Sequence, residues 1–201
     1  MMTADKDIAG MLAGDETEAL ARLHARLAEQ AASEGVLDIA YRTHDTPVGR
    51  LLLAATEAGV LRVAYEREEH ERVLANLADT VSPRILRAPG RLDRLATELD
   101  EYFTGKRTGF DVPLDLRLSK GFRREVLSHL ADIGYGETAS YAGIAAAAGS
   151  PRAVRAAGSA CATNPIPVVL PCHRVVRSDG SLSGYVGGVE AKRKLLELEA
   201  A

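Results

Sequence analysis

Residues 140–165 read SYAGIAAAAGSPRAVRAAGSACATNP, and this stretch decides the fold of the second half of the chain. It contains two short helical segments separated by a Gly-Ser pair. Ser140 predicts an N-cap for the first helix, and Gly149 predicts its end. Ser150 predicts the cap of a second helix with Pro151 at its first position, where a missing N–H costs nothing. The second helix is expected to run to about Ala162, and two short helices joined by a tight turn are typical of a helix-turn-helix.

The second of these helices carries positively charged side chains among residues with small side chains. Arg152 and Arg155 stand among small residues, so a nucleic-acid groove can approach the helix closely. The surrounding residues 138–178 contain no Asp or Glu, although they carry four arginines and a histidine. A polyanion can therefore approach this stretch without meeting a carboxylate. The alternative is a pair of packed, alanine-rich helices whose arginines face water.

A candidate nucleophile follows the helix-turn-helix. Residues 166–170 are apolar and too rich in proline for a helix, and they lead into Pro171-Cys172-His173-Arg174. We expect a buried strand that presents the Cys172 thiol at its exit. A free thiol has a pKa of about 8.5 and is mostly protonated near neutrality, so it needs a base. His173 can be that base, directly or through a water, or it can be a satisfied histidine near a turn.

The first half of the chain predicts a small antiparallel sheet with helices. Strands are expected over 37–42, 49–56 and 60–65, the last two joined by a turn at Gly59. Helical periodicity occupies 68–78, 92–103 and 121–133, and residues 105–116 are interpreted as a linker. A leading helix is expected over 15–33, with Leu20, Leu23, Leu27 and Ala31 at helical spacing, and three roles stay open for it: packing on the first domain, binding a partner, or fraying.

Composition narrows the class of protein. The chain has 201 residues, 46% of them hydrophobic, and a net charge of −3. Residues 113–201 carry 11 basic and 8 acidic side chains, so the excess of positive charge lies in the half with the helix-turn-helix. No apolar stretch reaches the roughly 20 residues of a membrane span, and the start lacks the order of a secretory signal, so we expect a cytoplasmic protein. Cys161 and Cys172 have neither a disulfide-rich pattern nor zinc-ligand spacing, and Cys161 is expected to be a small buried hydrophobe.

Several motifs together carry a resemblance to a known family. They are Asn164-Pro165, Pro171-Cys172-His173-Arg174-Val175, Gly180-Ser181-Leu182-Ser183-Gly184-Tyr185 and Gly187-Gly188, with upstream segments at 99–107, 110–114 and 134–138 and the terminal helix 192–199. The chain resembles, from about Ile39 to Ala200, the methylated-DNA–protein-cysteine methyltransferases, also called O⁶-alkylguanine-DNA alkyltransferases.

The resemblance implies a role for each matching residue. Cys172 would accept the alkyl group, and His173 would deprotonate it through a water while Glu199 holds the imidazole. Asn164 would brace the turn that carries the cysteine.

The same resemblance implies contacts with DNA. Tyr141 would press on the phosphate of the target nucleotide and donate a hydrogen bond to its base. Arg155 would fill the stack after the guanine is extruded, and Arg152 would bind DNA beside it. The pocket for the guanine would be formed by Val175, Tyr185, Val186 and Gly187, with backbone groups of Cys172, Val175 and Val186 reading the base edges.

The implied fold is an α/β N-terminal domain, ribonuclease H-like with an antiparallel sheet plus helices, followed by a mostly helical winged helix-turn-helix domain. We expect an N-terminal helical extension over 1–35, the first domain over 36–112 and the second over 113–201. The implied function is a single, irreversible alkyl transfer from O⁶-alkylguanine, with O⁴-alkylthymine as a second substrate, in double-stranded DNA. No cofactor and no metal are expected, because the zinc-bearing members of the family use N-terminal cysteines and none precedes Cys161 here. The protein is expected to be a monomer and to bind no membrane, and the sequence leaves open whether it binds DNA cooperatively.

Two other classes of protein fit the sequence less well. A protein that only binds damaged guanine, or a regulator that reads promoters, would not need Cys172, and the second helix offers few side chains for reading base edges. A Cys-His hydrolase would need an oxyanion hole, and no motif in the chain signals one.

Overall fold

The structure, a computed structural model, describes residues 19–20 and 22–200. The helices are α1 (22–33), α2 (His70–Thr80), α3 (Asp93–Phe103), α4 (Phe122–Leu130), α5 (Tyr141–Ala147), α6 (Val154–Ala162) and α7 (Val189–Glu199). The strands are β1 (Ile39–Thr46), β2 (Gly49–Thr56), β3 (Gly59–Tyr65), β4 (Ile85–Arg87), β5 (Ala139–Ser140) and β6 (Val175–Val176). Short 3₁₀ turns lie at Glu66–Glu68, Pro89–Leu92, Leu116–Leu118 and Cys172–Arg174.

The first half forms a four-stranded sheet in the order β3-β2-β1-β4. β1 pairs with β2 and β2 with β3 in antiparallel fashion, as the sequence predicts. β4 is an addition that the sequence analysis did not foresee, and it pairs with β1 in parallel. The sheet is covered on both faces, which explains the continuous apolar run of β2: Leu51 and Leu53 face the main core, whereas Leu52 packs against α2 and its neighbours.

One hydrophobic core joins the two halves of the chain. Leu99 and Tyr102 of α3 lie in the same cluster as Val126 and Leu127 of α4, together with Cys172. The segment expected to be a linker is held against the sheet, because the Val60 N–H donates to the Pro113 carbonyl over 2.8 Å. The second half is therefore fixed against the first by shared apolar burial and by backbone hydrogen bonds.

The leading helix packs against the first half of the chain. Its buried residues are Ala28 and Ala31, which contact a small cluster with Leu37, Ala40 and Ala88. The three leucines of the helical stripe are exposed: Leu20 by 56%, Leu23 by 57% and Leu27 by 52%. The described part of the helix therefore docks on the first half of the chain through its alanine side. Residues 15–18 and 21 of the predicted helix lie outside the described residues.

The helix-turn-helix is formed by α5 and α6. Ser140 caps α5 as predicted, because its Oγ accepts a hydrogen bond from the Gly143 N–H over 3.0 Å. The second helix begins at Val154 rather than at Pro151, since residues 150–153 close a turn in which the Ala153 N–H donates to the Ser150 carbonyl over 2.8 Å. Arg152 therefore lies in the turn and Arg155 on the helix. In the part of the chain that the structure describes, no helix has the length and apolar character to span a membrane.

Candidate active site

Cys172 opens a 3₁₀ turn that follows a bent segment. Residues 166–170, expected to be a strand, instead fold back on themselves: the Leu170 N–H donates to the Ile166 carbonyl over 2.9 Å. Val168 has a φ of 73°, a left-handed conformation that is unfavourable for a β-branched residue. The prediction of a strand here was wrong, because tertiary contacts rather than local preference bend the chain. The bend brings Cys172 back towards residue 164.

Asn164 holds the two ends of this bend together. Its Nδ2 donates to the Leu170 carbonyl over 2.9 Å and to the Cys172 Sγ over 3.1 Å, and its Oδ1 accepts from the Ile166 N–H over 2.9 Å. All three hydrogen bonds are buried. A side-chain amide that satisfies two backbone groups and the sulfur fixes the thiol in place.

The thiol of Cys172 is buried and protonated in the free protein. It is 2% exposed, and burial raises its pKa to about 11, although the Asn164 hydrogen bond and the Lys192 ammonium act in the opposite direction. Nucleophilic chemistry at this sulfur therefore requires a group that removes its proton.

His173 is arranged to act as that base. Its ring is fully buried, and its Nε2 lies 2.8 Å from Oε1 of Glu199. Burial lowers the pKa of His173, so the imidazole is neutral near pH 7. Since the Glu199 carboxylate can only accept, Nε2 carries the ring proton and Nδ1 carries the lone pair. Nδ1 is buried and has no hydrogen-bond partner among residues 19–20 and 22–200, so it is the nitrogen that can receive a proton.

Glu199 is the centre of a buried network that crosses between the two halves. Besides His173, it accepts from Arg174 Nε over 2.8 Å and Nη2 over 2.9 Å, and from the Tyr102 hydroxyl over 2.5 Å. Burial alone would raise the pKa of Glu199, but the hydrogen bonds from His173 and Arg174 lower it to about 2. No local pattern in the sequence predicts these roles of Arg174 and Tyr102, because both act on Glu199 through tertiary contacts.

A buried lysine, Lys192, lies near enough to the Cys172 sulfur to act on its pKa. Lys192 is fully buried, and its Nζ donates to the Val175 carbonyl over 2.6 Å and to Ser183 Oγ over 3.4 Å. Ser183 is in turn hydrogen-bonded to the Tyr141 hydroxyl. The network links a cation to two of the residues expected to contact the substrate, and Lys192 was not singled out from the sequence.

Three of the expected pocket residues lie on the loop 185–188 next to the first half, whereas the fourth, Val175, is buried in β6. Tyr185 is buried and meets the His173 ring edge-on at 6.4 Å. Its hydroxyl is 3.0 Å from that of Tyr65 on β3. Val186 is half-buried against the core, and Gly187 lies against the Tyr65 ring.

The two expected DNA-contacting arginines lie apart from this cluster. Arg152 and Arg155 are exposed on the outer side of the helix-turn-helix, whereas Ala157, Ala160 and Cys161 form its buried face. Burial raises the pKa of Cys161 to about 12, which agrees with its interpretation as an inert core residue. Within the described residues, no group of three or more His, Cys, Asp or Glu side chains is placed to hold a metal ion.

Fold and site together define a class of protein: a cysteine-dependent transferase built on a ribonuclease-like domain and a helical DNA-binding domain. Family models support this directly. Residues 39–116 match the 6-O-methylguanine DNA methyltransferase ribonuclease-like domain, and residues 121–201 match the DNA-binding domain of the same family. The chain belongs to the 6-O-methylguanine DNA methyltransferase family.

Individual relatives agree with this assignment. The methylated-DNA–protein-cysteine methyltransferase of Mycobacterium tuberculosis strain H37Rv is 42% identical over 167 residues, covering 80% of this chain and 92% of the relative. The constitutive enzyme of Bacillus subtilis is 38% identical, covering 79% and 94%. A crystal structure of Mycobacterium tuberculosis OGT in complex with DNA has a TM-score of 0.69 at 40% identity and covers 80% of this chain and 92% of that one. The predictions of the family, of the two-part fold, of a methyltransferase and of DNA as its partner are confirmed.

Proposed function

We propose that the chain removes the alkyl group from O⁶-alkylguanine in duplex DNA, and from O⁴-alkylthymine, and keeps it on Cys172 as a thioether. The observation that supports this most is the pairing of a buried, Asn164-held thiol with a neutral imidazole. His173 is that imidazole, and Glu199 fixes its tautomer. A thioether has no hydrolytic route back, so each molecule acts once.

The reaction balances without a cofactor. The Cys172 proton passes to Nδ1 of His173 through a water, and the thiolate attacks the alkyl carbon. The bond between that carbon and the base oxygen breaks and its electron pair stays on the base. The proton that His173 took up then passes to the base, which leaves as neutral guanine, and the imidazole is neutral again. The Tyr141 hydroxyl donates a hydrogen bond to the base, and Lys192 stabilises the negative charge while the sulfur is a thiolate.

Nucleotide flipping follows from the depth of the sulfur. Cys172 is 2% exposed, so its sulfur cannot reach a base inside the duplex, and the damaged nucleotide must leave the stack at a cost of about a few kcal/mol. Arg155, exposed on the slim α6, fills the gap in the stack, and Arg152 in the preceding turn contacts the backbone. Backbone groups of Cys172, Val175 and Val186 read the extruded base.

The remaining features of the proposal concern organisation. We divide the chain into an N-terminal extension (1–35), the ribonuclease-like domain (36–112) and the DNA-binding, alkyl-accepting domain (113–201). Two consecutive family matches, 39–116 and 121–201, support a division into two domains, and the first of them also includes residues 113–116. The protein acts as a monomer in the cytoplasm.

Mass spectrometry tests the transfer. Incubation with an oligonucleotide duplex that contains O⁶-methylguanine should add one methyl group to the peptide with Cys172, at one equivalent per protein. Cys172→Ser should abolish the transfer, whereas the matched control Cys161→Ser, also buried, should retain it. Product beyond one equivalent would indicate a turnover enzyme and refute the single-use mechanism.

A second experiment tests flipping. Arg155→Ala should slow transfer from duplex DNA far more than transfer from the free alkylguanine base, because only the duplex reaction needs the gap filled. Arg124→Ala, which removes an exposed arginine from α4, is the control. Equal losses on both substrates would show that Arg155 has no part in extrusion.

A further inference from the structure

Tyr65 extends the first domain into the neighbourhood of the alkyl-accepting cysteine. It is the last residue of β3 and is 3% exposed. Its hydroxyl lies 3.0 Å from the Tyr185 hydroxyl, and the two rings meet edge to face with centroids 5.7 Å apart. Tyr185 in turn meets the His173 ring edge-on. A continuous line of aromatic contacts therefore runs from the sheet to the proposed base.

The Tyr65 ring also explains a glycine in the pocket loop. A Cβ atom on Gly187 would lie 2.5–2.7 Å from three atoms of the Tyr65 ring, which is closer than real Cβ contacts allow. The φ of Gly187 lies outside the left-handed region, so the ring rather than the backbone conformation demands glycine here. The position of the Tyr65 ring therefore requires a residue without a side chain at position 187.

Tyr65 is itself held in place firmly enough to act as a support. Its N–H donates to Glu68 over 2.9 Å, and Glu68 is paired with Arg62. Arg62 donates to the Pro165 carbonyl over 2.9 Å, and the Val63 N–H donates to the same oxygen over 2.8 Å. The end of β3 thus contacts both segments that frame Cys172: the turn at 164–165 and the loop at 185–188.

We propose that Tyr65 is a positioning residue that determines which alkyl groups the site accepts, by holding the loop 185–188 close to Cys172. The inference rests on the proposed alkyl transfer and deepens it, since it assigns alkyl-size specificity to a side chain of the ribonuclease-like domain. Replacing Tyr65 by alanine removes the ring that backs Gly187 and the partner of the Tyr185 hydroxyl. The loop can then withdraw, and the pocket gains room for larger groups.

The ratio of two rate constants measures this specificity. Single-turnover transfer is followed with the same oligonucleotide duplex carrying either O⁶-methylguanine or O⁶-benzylguanine. Tyr65→Ala should raise the benzyl-to-methyl ratio about tenfold, the scale on which pocket size discriminates substrates. The control Tyr41→Ala removes a half-buried tyrosine from β1 of the same sheet and should leave the ratio at its wild-type value. A general loss of stability lowers both rates together and does not move the ratio.

The reciprocal variant makes the test independent of a single substitution. Gly187→Ala should slow methyl transfer about tenfold, because the new methyl group meets the Tyr65 ring. Combined with Tyr65→Ala, the same substitution should recover to within about threefold of the Tyr65→Ala rate, since the obstacle is gone. Should Tyr65→Ala not fold, Tyr65→Leu keeps buried apolar contact, withdraws the outer ring atoms and carries the same two expectations.

The outcomes separate the two proposals. A wild-type protein that transfers neither group refutes the proposed function. A wild-type protein that transfers methyl, with an unchanged ratio in the Tyr65 variants and additive effects in the double variant, overturns the role of Tyr65 alone.

Discussion

Replacing Glu199 by glutamine tests how the buried carboxylate governs the chemistry of His173. In the wild-type protein the carboxylate accepts from His173 Nε2, two nitrogens of Arg174 and the Tyr102 hydroxyl. The amide of glutamine has only one accepting oxygen and also donates. If its NH₂ group faces His173, the imidazole proton moves to Nδ1, and the nitrogen that should receive the Cys172 proton is blocked. If the NH₂ group faces Arg174 instead, two hydrogen-bond donors face each other, and the guanidinium is left without a counter-charge.

The size of the effect follows from the pKa of Glu199. The value falls from 4.5 to about 2 in the folded protein. At about 1.4 kcal/mol per pH unit, the folded state favours the ionised carboxylate by about 3 kcal/mol. Because the pKa is depressed, this stabilisation is fully present above pH 4.5 and is lost as the pH falls towards 2. Loss of the base should slow alkyl transfer by a factor on the order of 10² to 10⁴.

Urea denaturation and single-turnover methyl transfer measure the two quantities. Glu199→Gln should unfold with about 3 kcal/mol less free energy at pH 7, and the difference from wild type should shrink between pH 4.5 and pH 2. The control Glu197→Gln, an exposed position on the same helix, should match wild type in both assays. Wild-type transfer by Glu199→Gln would refute the tautomer argument, and a stability difference that does not change with pH would refute the electrostatic one.

Three further predictions concern the same site. Asn164→Ala should lower the free energy of unfolding by about 2 kcal/mol, since it leaves the buried Ile166 N–H and Leu170 carbonyl unpaired, and it should also slow transfer; denaturation and transfer assays check both, and unchanged values would contradict the bracing role. Lys192→Met should slow transfer about tenfold, because the ammonium stabilises the Cys172 thiolate, and it should not lower stability, because burying the ammonium is itself costly. Thermal melting and rate measurement check the two effects, and an unchanged rate would contradict the role of Lys192. Because the pKa of His173 is lowered, the transfer rate should be independent of pH from about 6.5 to 8.5. The free energy of unfolding should begin to fall below about pH 6.5, because the unfolded chain takes up a proton there that the folded chain does not. A transfer rate that climbs steadily from about pH 6.5 to 8.5 would show that His173 is not the base.

Local patterns predicted much of the fold. β2 lies over 49–56 as expected, and β3 begins one residue earlier than expected, because turns and apolar runs fix such strands locally. β4 has three residues and pairs in parallel with a strand nearly forty residues away in the chain, so no local period marks it. The bend at 166–170 was misread because valines and prolines favour extended backbone, whereas Asn164 and the core impose a turn.

In the site, too, the sequence predicts what is local and not what depends on distant contacts. Cys172 and His173 are predicted because they are adjacent in a chemically suggestive motif. The Tyr102–Glu199 and Tyr65–Tyr185 hydrogen bonds join residues 97 and 120 positions apart, so only the tertiary structure reveals them. Arg174 was visible in the motif, but its role depended on the position of the last helix. The leucines of α1 show the reverse case, in which a clear helical stripe does not face the protein.

The burial of Cys172 also matters for the protein between encounters with DNA. Under the proposed single-use mechanism, a molecule whose sulfur reacts with a stray electrophile or oxidant is lost to repair as completely as one that has met a lesion. With a thiol pKa of about 11, only about one molecule in ten thousand carries the thiolate at pH 7, and that sulfur faces little solvent. The thiol of the unreacted protein is thus protected until a lesion is bound. Under the proposed mechanism, the repair capacity of a cell equals its number of unreacted molecules.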